Sequence, residues 1–440
     1  MLKTRSIVFI VIVLLFNPFR LFGQPLTLEQ KNISGIYKSG EKIEIYLHTD
    51  GTVSDSVSIT VIKNNKDEIE SKSVIPGSGK QIVFSGSSDT PCSIMLIAGY
   101  KDITASLGSM VDPHLIKPGS EAPDDLRTYW KQQKKLLNAL PWEVKSVPVR
   151  NESIPNGFTC ENIEINCLGP RPARGYFVKP SGSGPKSLPA VLLVHAAGVK
   201  GSWCRSEPGN AIRYARMGAI CFDLNAHGML NGQPDEYYEE LENGDLKDYW
   251  IQGITSREDF YFRGMYLRLL RTIEFLSRQP EWDGKRILVI GESQGGGQAL
   301  AAAGLDHRVS AAVAIVPAMC DWMASRTGLK GGWPQPYDSE ESTEALMKTI
   351  PYYDAAYLLK GSKATIFTEI GFVDITCPAS SIYAAVNQAG GRKIIIGVPY
   401  RAHHQPPADS ELDKIWKETV YSQRTEFIDN YLNQGTKPGN

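Results

Sequence analysis

Residues 286–300 read Arg-Ile-Leu-Val-Ile-Gly-Glu-Ser-Gln-Gly-Gly-Gly-Gln-Ala-Leu. No other stretch limits the fold as tightly. An apolar strand runs into G-x-S-x-G and then into an Ala-rich helix. A strand-to-helix turn that sharp needs small residues two before and two after the serine, and Gly291 and Gly295 supply them. Ser293 is then left at a helix N-terminus, where the helix dipole favours a developing anion. The backbone N–H of Gln294 falls where an oxyanion donor is needed. A dinucleotide loop of the form G-x-G-x-x-G would need glycine where Ser293 stands.

The surrounding grammar is that of a sheet covered on both faces. Apolar strands are expected at 190–194, 219–224, 286–290, 309–316, 364–367 and 393–398. Between them lie helical patterns at 210–217, 257–278, 294–304, 378–388 and 412–432. An amphipathic helix at 124–140 precedes them, with Leu126, Tyr129, Trp130, Leu136 and Leu137 as its apolar positions. Strands and helices that alternate in this way give a mostly parallel sheet flanked by helices.

The first 123 residues follow other rules. Lys3 and Arg5 precede an unbroken apolar run, 7–16, which is too short to cross a bilayer. A signal peptide over 1–23, cleaved after Gly23, is the expectation, and it places the protein outside the cytoplasm (secreted or periplasmic). No membrane association is expected after cleavage. Residues 24–110 alternate with period two, at Ile43, Ile45 and Leu47, at Val57, Ile59 and Val61, at Ile82 and Phe84, and at Ile94, Leu96 and Ala98. Short strands separated by turn formers predict a small β-sandwich domain, immunoglobulin-like in size. Residues 111–123, with Pro118-Gly119 at their centre, read as a linker to a catalytic domain at 124–435. Modules joined in this way usually fold independently, so a chain starting near Gly119 is expected to keep its activity.

Lys and Arg number 47 against 48 Asp and Glu, which argues against a nucleic-acid partner. Seven cysteines are too few for a disulfide scaffold, although an oxidising compartment would permit a Cys160–Cys167 bridge. With no C-x-x-C pair and no His/Cys cluster, no metal or other cofactor is expected.

A serine hydroxyl needs a base. Around a G-x-S-x-G elbow the chain order is Ser, then Asp or Glu, then His. His195 and His227 come too early, and His307 lies just past the elbow helix. His403 and His404 follow the last strand, where the base belongs. The acid should follow the preceding strand, and Asp374 does; its bland role is a helix cap, shared with Thr376. Glu369 is the second choice of acid. The loop after an early strand, His195-Ala196-Ala197-Gly198, is the source of a second oxyanion donor, assigned to the Ala197 N–H. Trp322, in a loop beside the expected acyl pocket, is a candidate pocket wall and equally a candidate core residue.

Residues from about 120 to 435 resemble the acetyl xylan esterase / cephalosporin C deacetylase family, carbohydrate esterase family seven. The resemblance rests on Gly291-Glu-Ser-Gln-Gly-Gly-Gly297, on Arg257-Glu-Asp-Phe-Tyr-Phe-Arg263, on Gly371-Phe-Val-Asp-Ile-Thr-Cys-Pro378, and on Val398-Pro-Tyr-Arg-Ala-His403. It implies the α/β-hydrolase fold, and it puts the base on His403, with His404 where the family usually has Glu. It further implies removal of acetyl groups from xylan or xylo-oligosaccharide through Ser293, His403 and Asp374, and a tendency to form homo-oligomers. Two departures bear on the substrate. Ala197 stands where the family commonly has Tyr, and Asp223-Leu-Asn-Ala-His-Gly228 stands for D-x-R-G-x-G.

Rival readings are a feruloyl or glucuronoyl esterase and a prolyl-oligopeptidase-like peptidase, the last lacking room for a propeller. From another class, a non-catalytic carbohydrate-binding protein would not need the full Ser/Asp/His set.

Overall fold

The structure, a computed structural model, describes residues 25–77, 79–150, 152–337 and 343–434. The expected signal peptide, with its cleavage site after Gly23, lies outside them. Among the described residues no helix is long and apolar enough to cross a membrane.

Eight strands come first: β1 (Leu26–Gln30), β2 (Ile36–Tyr37), β3 (Ile43–Thr49), β4 (Val57–Lys63), β5 (Asp67–Val74), β6 (Gln81–Gly86), β7 (Cys92–Tyr100) and β8 (Ile103–Val111). They form two sheets, β1-β3-β6 and β2-β8-β7-β4-β5. The inward rows Ile43, Ile45, Leu47 and Val57, Ile59, Val61 meet Leu96 and Ala98 in one core. The alternation misplaces Ile82, which is half exposed, while Val83 beside Phe84 is buried. The pairing slips there: Ile45 faces Phe84 and Tyr46 faces Ile82, which leaves Val83 as the extra residue of a bulge.

The second body holds nine strands: β9 (Val144–Pro148), β10 (Phe158–Ile165), β11 (Ala173–Pro180), β12 (Leu188–Val194), β13 (Ile220–Asn225), β14 (Trp282–Glu292), β15 (Ala311–Ile315), β16 (Thr365–Gly371) and β17 (Lys393–Val398). Their order is β17-β16-β15-β14-β12-β13-β11-β10-β9. From β17 to β13 neighbours run parallel, and β11, β10 and β9 continue antiparallel. The helices are α1 (Leu126–Ala139), α2 (Pro208–Ala215), α3 (Asp235–Asn243), α4 (Tyr261–Ser277), α5 (Gln294–Leu305), α6 (Glu344–Thr349), α7 (Ala355–Leu358), α8 (Ala379–Val386), α9 (Glu411–Trp416) and α10 (Ser422–Leu432).

Alternate residues of the buried strands serve opposite faces. Leu192 and Val289 pack with α1, α4, α5, α7 and α8. Val191 and Leu288 pack with α2 and α10. This is the α/β-hydrolase arrangement. Three local expectations shift. Leu136 is exposed, so α1 buries Leu126, Tyr129, Trp130 and Leu137 without it. Helix α4 starts at Tyr261, not at 257, because Ser256 and Asp259 close a turn and Phe260 is extended. The closing helix carries a π-turn at Lys417–Tyr421. All seven cysteines are free, Cys160 and Cys167 included.

Residues 111–123 are a docked strap, not a loose tether. Asn387 Nδ2 donates to the carbonyls of Pro113 and Ile116. The Gly119 N–H donates to Asp321 Oδ1, and a Cβ on Gly119 would lie 1.9 Å from the Met323 carbonyl oxygen.

Candidate active site

The turn between β14 and α5 holds Ser293 at φ 55°, ψ −120°. A non-glycine residue in that region is strained by roughly 1–3 kcal/mol. The surroundings force it. Ser293 N–H donates to the Ile315 carbonyl, and the Ser293 carbonyl accepts from Gly297 and Ala318. A Cβ on Gly291 would sit 2.3 Å from Gly295 C, and one on Gly295 2.4 Å from Val194 O. Strand β12 therefore passes directly against the elbow, which brings the loop after β12 to the serine.

Strands β16 and β17 deliver the other two groups. His403 Nε2 lies 3.0 Å from Ser293 Oγ, and His403 Nδ1 lies 2.8 Å from Asp374 Oδ2. Asp374 is fully buried, and its Oδ1 also accepts the N–H groups of Thr376 and Cys377, each at 2.8 Å. The carboxylate thus caps the turn before α8 and holds the imidazole at once, so both readings of Asp374 describe the same side chain. His404 is exposed, its ring 5.6 Å from that of His403. His307 is exposed.

Glu369 does not face His403. It is fully buried beneath the base loop, where Arg401, Arg424 and Trp416 Nε1 surround it. Arg401 also reaches Glu292, the residue before the serine, at 3.3 Å. Burial pulls the Arg401 guanidinium down to about 10, still cationic at neutral pH. Asp374, Cys377 and His403 bring a carboxylate oxygen, a thiol and an imidazole nitrogen within 4.8 Å. Burial pushes the Cys377 thiol well above its usual value. Asp374 already spends Oδ2 on His403 and Oδ1 on the N–H groups of Thr376 and Cys377.

The loop after β12 is fixed from behind by two histidines. His195 Nε2 lies 2.5 Å from Asp223 Oδ1. Burial alone would lower the His195 pKa, but the Asp223 charge and hydrogen bond outweigh it and the net shift is upward. His227, which the sequence reading left aside, is fully buried. Its Nε2 donates to the Gly198 carbonyl at 2.9 Å, and Nδ1 meets Tyr261 Oη at 2.7 Å. Burial, with nearby Arg268, depresses it to about 3, so it is neutral. The Gln294 N–H opens α5 and has no carbonyl within the helix to bond. Its side-chain Oε1 accepts from Tyr249 Oη at 2.5 Å.

Trp322 belongs to the core and is no pocket wall. It is 1% exposed and packs on Phe260 and Phe262. The reason is Asp354, whose buried carboxylate accepts the N–H groups of Asp321 and Trp322 and turns that loop inward. The partly exposed aromatic rings nearby are Trp250 and Trp333, centroids 6.1 Å apart and both adjoining Tyr249. Nothing in their local sequence marked them, because 250 and 333 meet only through the fold.

A family profile described as acetyl xylan esterase matches residues 113–418. The chain belongs to the acetyl xylan esterase family. It is therefore a carboxylic ester hydrolase of the carbohydrate esterase kind. It is 27% identical over 354 residues to the acetyl esterase Axe7A of Xylanibacter ruminicola, covering 77% of this chain and 78% of that one. Among solved structures, an acetyl xylan esterase from Paenibacillus sp. R4 superposes with a TM-score of 0.60 at 27% identity, over 73% of this chain and 98% of that one. Acetyl xylan esterase 1 from Thermoanaerobacterium sp. JW/SL YS485 shares the fold, with a TM-score of 0.56 at 20% identity over 72% and 97% of the two chains. The family match begins after β8, so the two N-terminal sheets lie outside it. Ala197 and Asn225 stand at the two positions where the sequence resemblance implied Tyr and Arg. Asn225 Oδ1 instead accepts the N–H groups of His227 and Met229, which shapes the turn that carries His227.

Proposed function

We propose that the protein is an exported serine esterase that removes O-acetyl groups from xylan or xylo-oligosaccharide. The observation that carries this reading is the continuous chain Ser293 Oγ, His403 Nε2, His403 Nδ1, Asp374 Oδ2 in a member of this family. Ser293 Oγ attacks the acetyl carbonyl while His403 Nε2 takes its proton. The oxyanion is held by the N–H groups of Gln294 and Ala197. His403 then returns the proton to the leaving sugar oxygen, and the C–O bond to the sugar breaks. Water then attacks the acyl carbonyl and gives a proton to His403, which passes it to Ser293 Oγ as the acyl–Oγ bond breaks, so that acetic acid leaves and the free serine is restored. Asp374 fixes the imidazole tautomer and stabilises its cation without itself taking the proton. The export step rests on the cationic start and the apolar run at 7–16.

Acetate release from acetylated xylo-oligosaccharides tests the substrate. The expected order of p-nitrophenyl esters is acetate far above butyrate. Faster turnover of butyrate, or of feruloyl esters, would reject a dedicated deacetylase.

A further inference from the structure

Trp203 lies six residues beyond Ala197 and is 65% exposed, although it sits in the ordered turn Ser202–Cys204. The ring is not free to swing. Its indole N–H donates to the Ala197 carbonyl at 3.0 Å. Its inner side rests on backbone that glycine keeps clear: a Cβ on Gly201 would come within 2.4 Å of the ring, and one on Gly198 within 3.2 Å of the indole nitrogen. The next residue, Cys204, is buried and ties the turn down through Sγ to the Gly201 carbonyl at 2.9 Å. A tryptophan seated in this way keeps its outer face open to solvent and fixed before any ligand arrives. The residue whose carbonyl holds the ring, Ala197, also carries, in the preceding peptide, the N–H assigned to the oxyanion, so the ring is anchored to the loop that supplies that donor.

We propose that Trp203 is a sugar platform: a pyranose ring of the carbohydrate substrate stacks on its open face beside the acetyl group under attack. This rests on the assignment of Ser293 and the Ala197 loop above, and it names the residue that recognises the sugar. The chemistry fits. A xylopyranose is uncharged and presents a face of C–H bonds, which are weakly positive, and an indole face is apolar and electron-rich. The ring's single polar atom is already satisfied by Ala197, so stacking leaves no group unpaired. The ring is already ordered, so binding adds little entropic cost.

The test is the ratio of kcat/KM on acetylated xylo-oligosaccharide to kcat/KM on p-nitrophenyl acetate, measured for the full chain. In Trp203→Ala this ratio should fall about ten-fold, mainly through KM on the oligosaccharide. Trp203→Phe, which keeps a ring face and loses the indole N–H, should retain most of the wild-type ratio. An unchanged ratio in Trp203→Ala, including an equal fall on both substrates, would overturn the platform; so would a Phe variant as impaired as the Ala variant. A wild type that hydrolyses the small ester and no acetylated saccharide would instead overturn the substrate reading and the platform with it. Loss of the platform effect in a wild type active on both would leave that reading standing.

Discussion

At the scale of single residues, the site depends on a few side chains that have no freedom to be anything else. Ser293 holds a positive φ only because Gly291 and Gly295 let β12 pass against the elbow. His403→Ala should lower kcat by roughly 10⁴–10⁶-fold, the range over which loss of a triad member acts. His404→Ala should keep most of the activity, because that ring is exposed and His403 alone reaches Ser293 Oγ. Steady-state rates on p-nitrophenyl acetate decide between them, and a dead His404→Ala would shift the base by one position. His227 makes a pH prediction. Its folded pKa, about 3, lies below the ordinary value of 6.5. Between those values the unfolded chain binds the extra proton, so this contribution to stability is present above pH 6.5 and lost as pH falls. Denaturant unfolding should show wild-type stability falling by about 1.4 kcal/mol per pH unit more steeply than that of His227→Gln between roughly pH 6 and 4. Equal slopes would mean that His227 is not held neutral. Neither the Gly198 bond nor the neutral state could be read from the sequence, where His227 is one histidine in a loop.

At the scale of elements, what could be read early was whatever local periodicity carries. The strands of the parallel sheet announce themselves as short apolar runs, and the strand ends point to Ser293, to Asp374 ahead of Glu369, and to the pair His403 and His404, between which only the family resemblance chose His403. What could not be read was pairing across long separations. Ile82 looked inward by period two, and a bulge in the β3–β6 ladder turned it out. Leu136 and Leu137 both looked apolar-facing, and packing buries only Leu137. Glu369 and Asp374 were both plausible acids because both stand near the end of β16. Only the fold shows that one faces Arg401 and the other His403. The two can be separated by substitution. Asp374→Asn should leave the melting temperature near wild type and lower kcat by about 10⁴-fold. Glu369→Gln should do the reverse. It takes the buried counter-charge from Arg424 and leaves Arg401 with only the partly exposed Glu292, a change that costs about 3–5 kcal/mol, while kcat in the folded enzyme stays within a few-fold. Thermal unfolding and kcat, measured on both variants, separate the two roles. A stable but inactive Glu369→Gln would make Glu369 the acid.

At the scale of the whole molecule, the N-terminal sheets lean on the two loops that carry the acid and the base. Asn65 Nδ2, in the turn between β4 and β5, donates to the Asp374 carbonyl at 3.1 Å. The Gly108 N–H of β8 donates to the Pro399 carbonyl at 2.8 Å, four residues before His403. Phe372, two residues before Asp374, presses on Gly108 so closely that a Cβ there would meet it at 2.5 Å. The linker composition alone suggested an independent module; these contacts and the docked strap favour dependence. A chain starting at Gly119 should therefore melt lower than the full chain and hydrolyse p-nitrophenyl acetate with kcat reduced at least about ten-fold, since small displacements of catalytic groups carry penalties of that order or more. Full kcat in the truncated chain would restore the independent-module view. The kinetic expectations presuppose that Ser293 is the nucleophile, and the acyl-enzyme tests that most directly. When p-nitrophenyl acetate turnover is quenched in acid during the burst and the peptides are mapped by mass, the account predicts an acetyl group on Ser293 and no turnover by Ser293→Ala. An acetyl group on another residue, or undiminished turnover by Ser293→Ala, would contradict it.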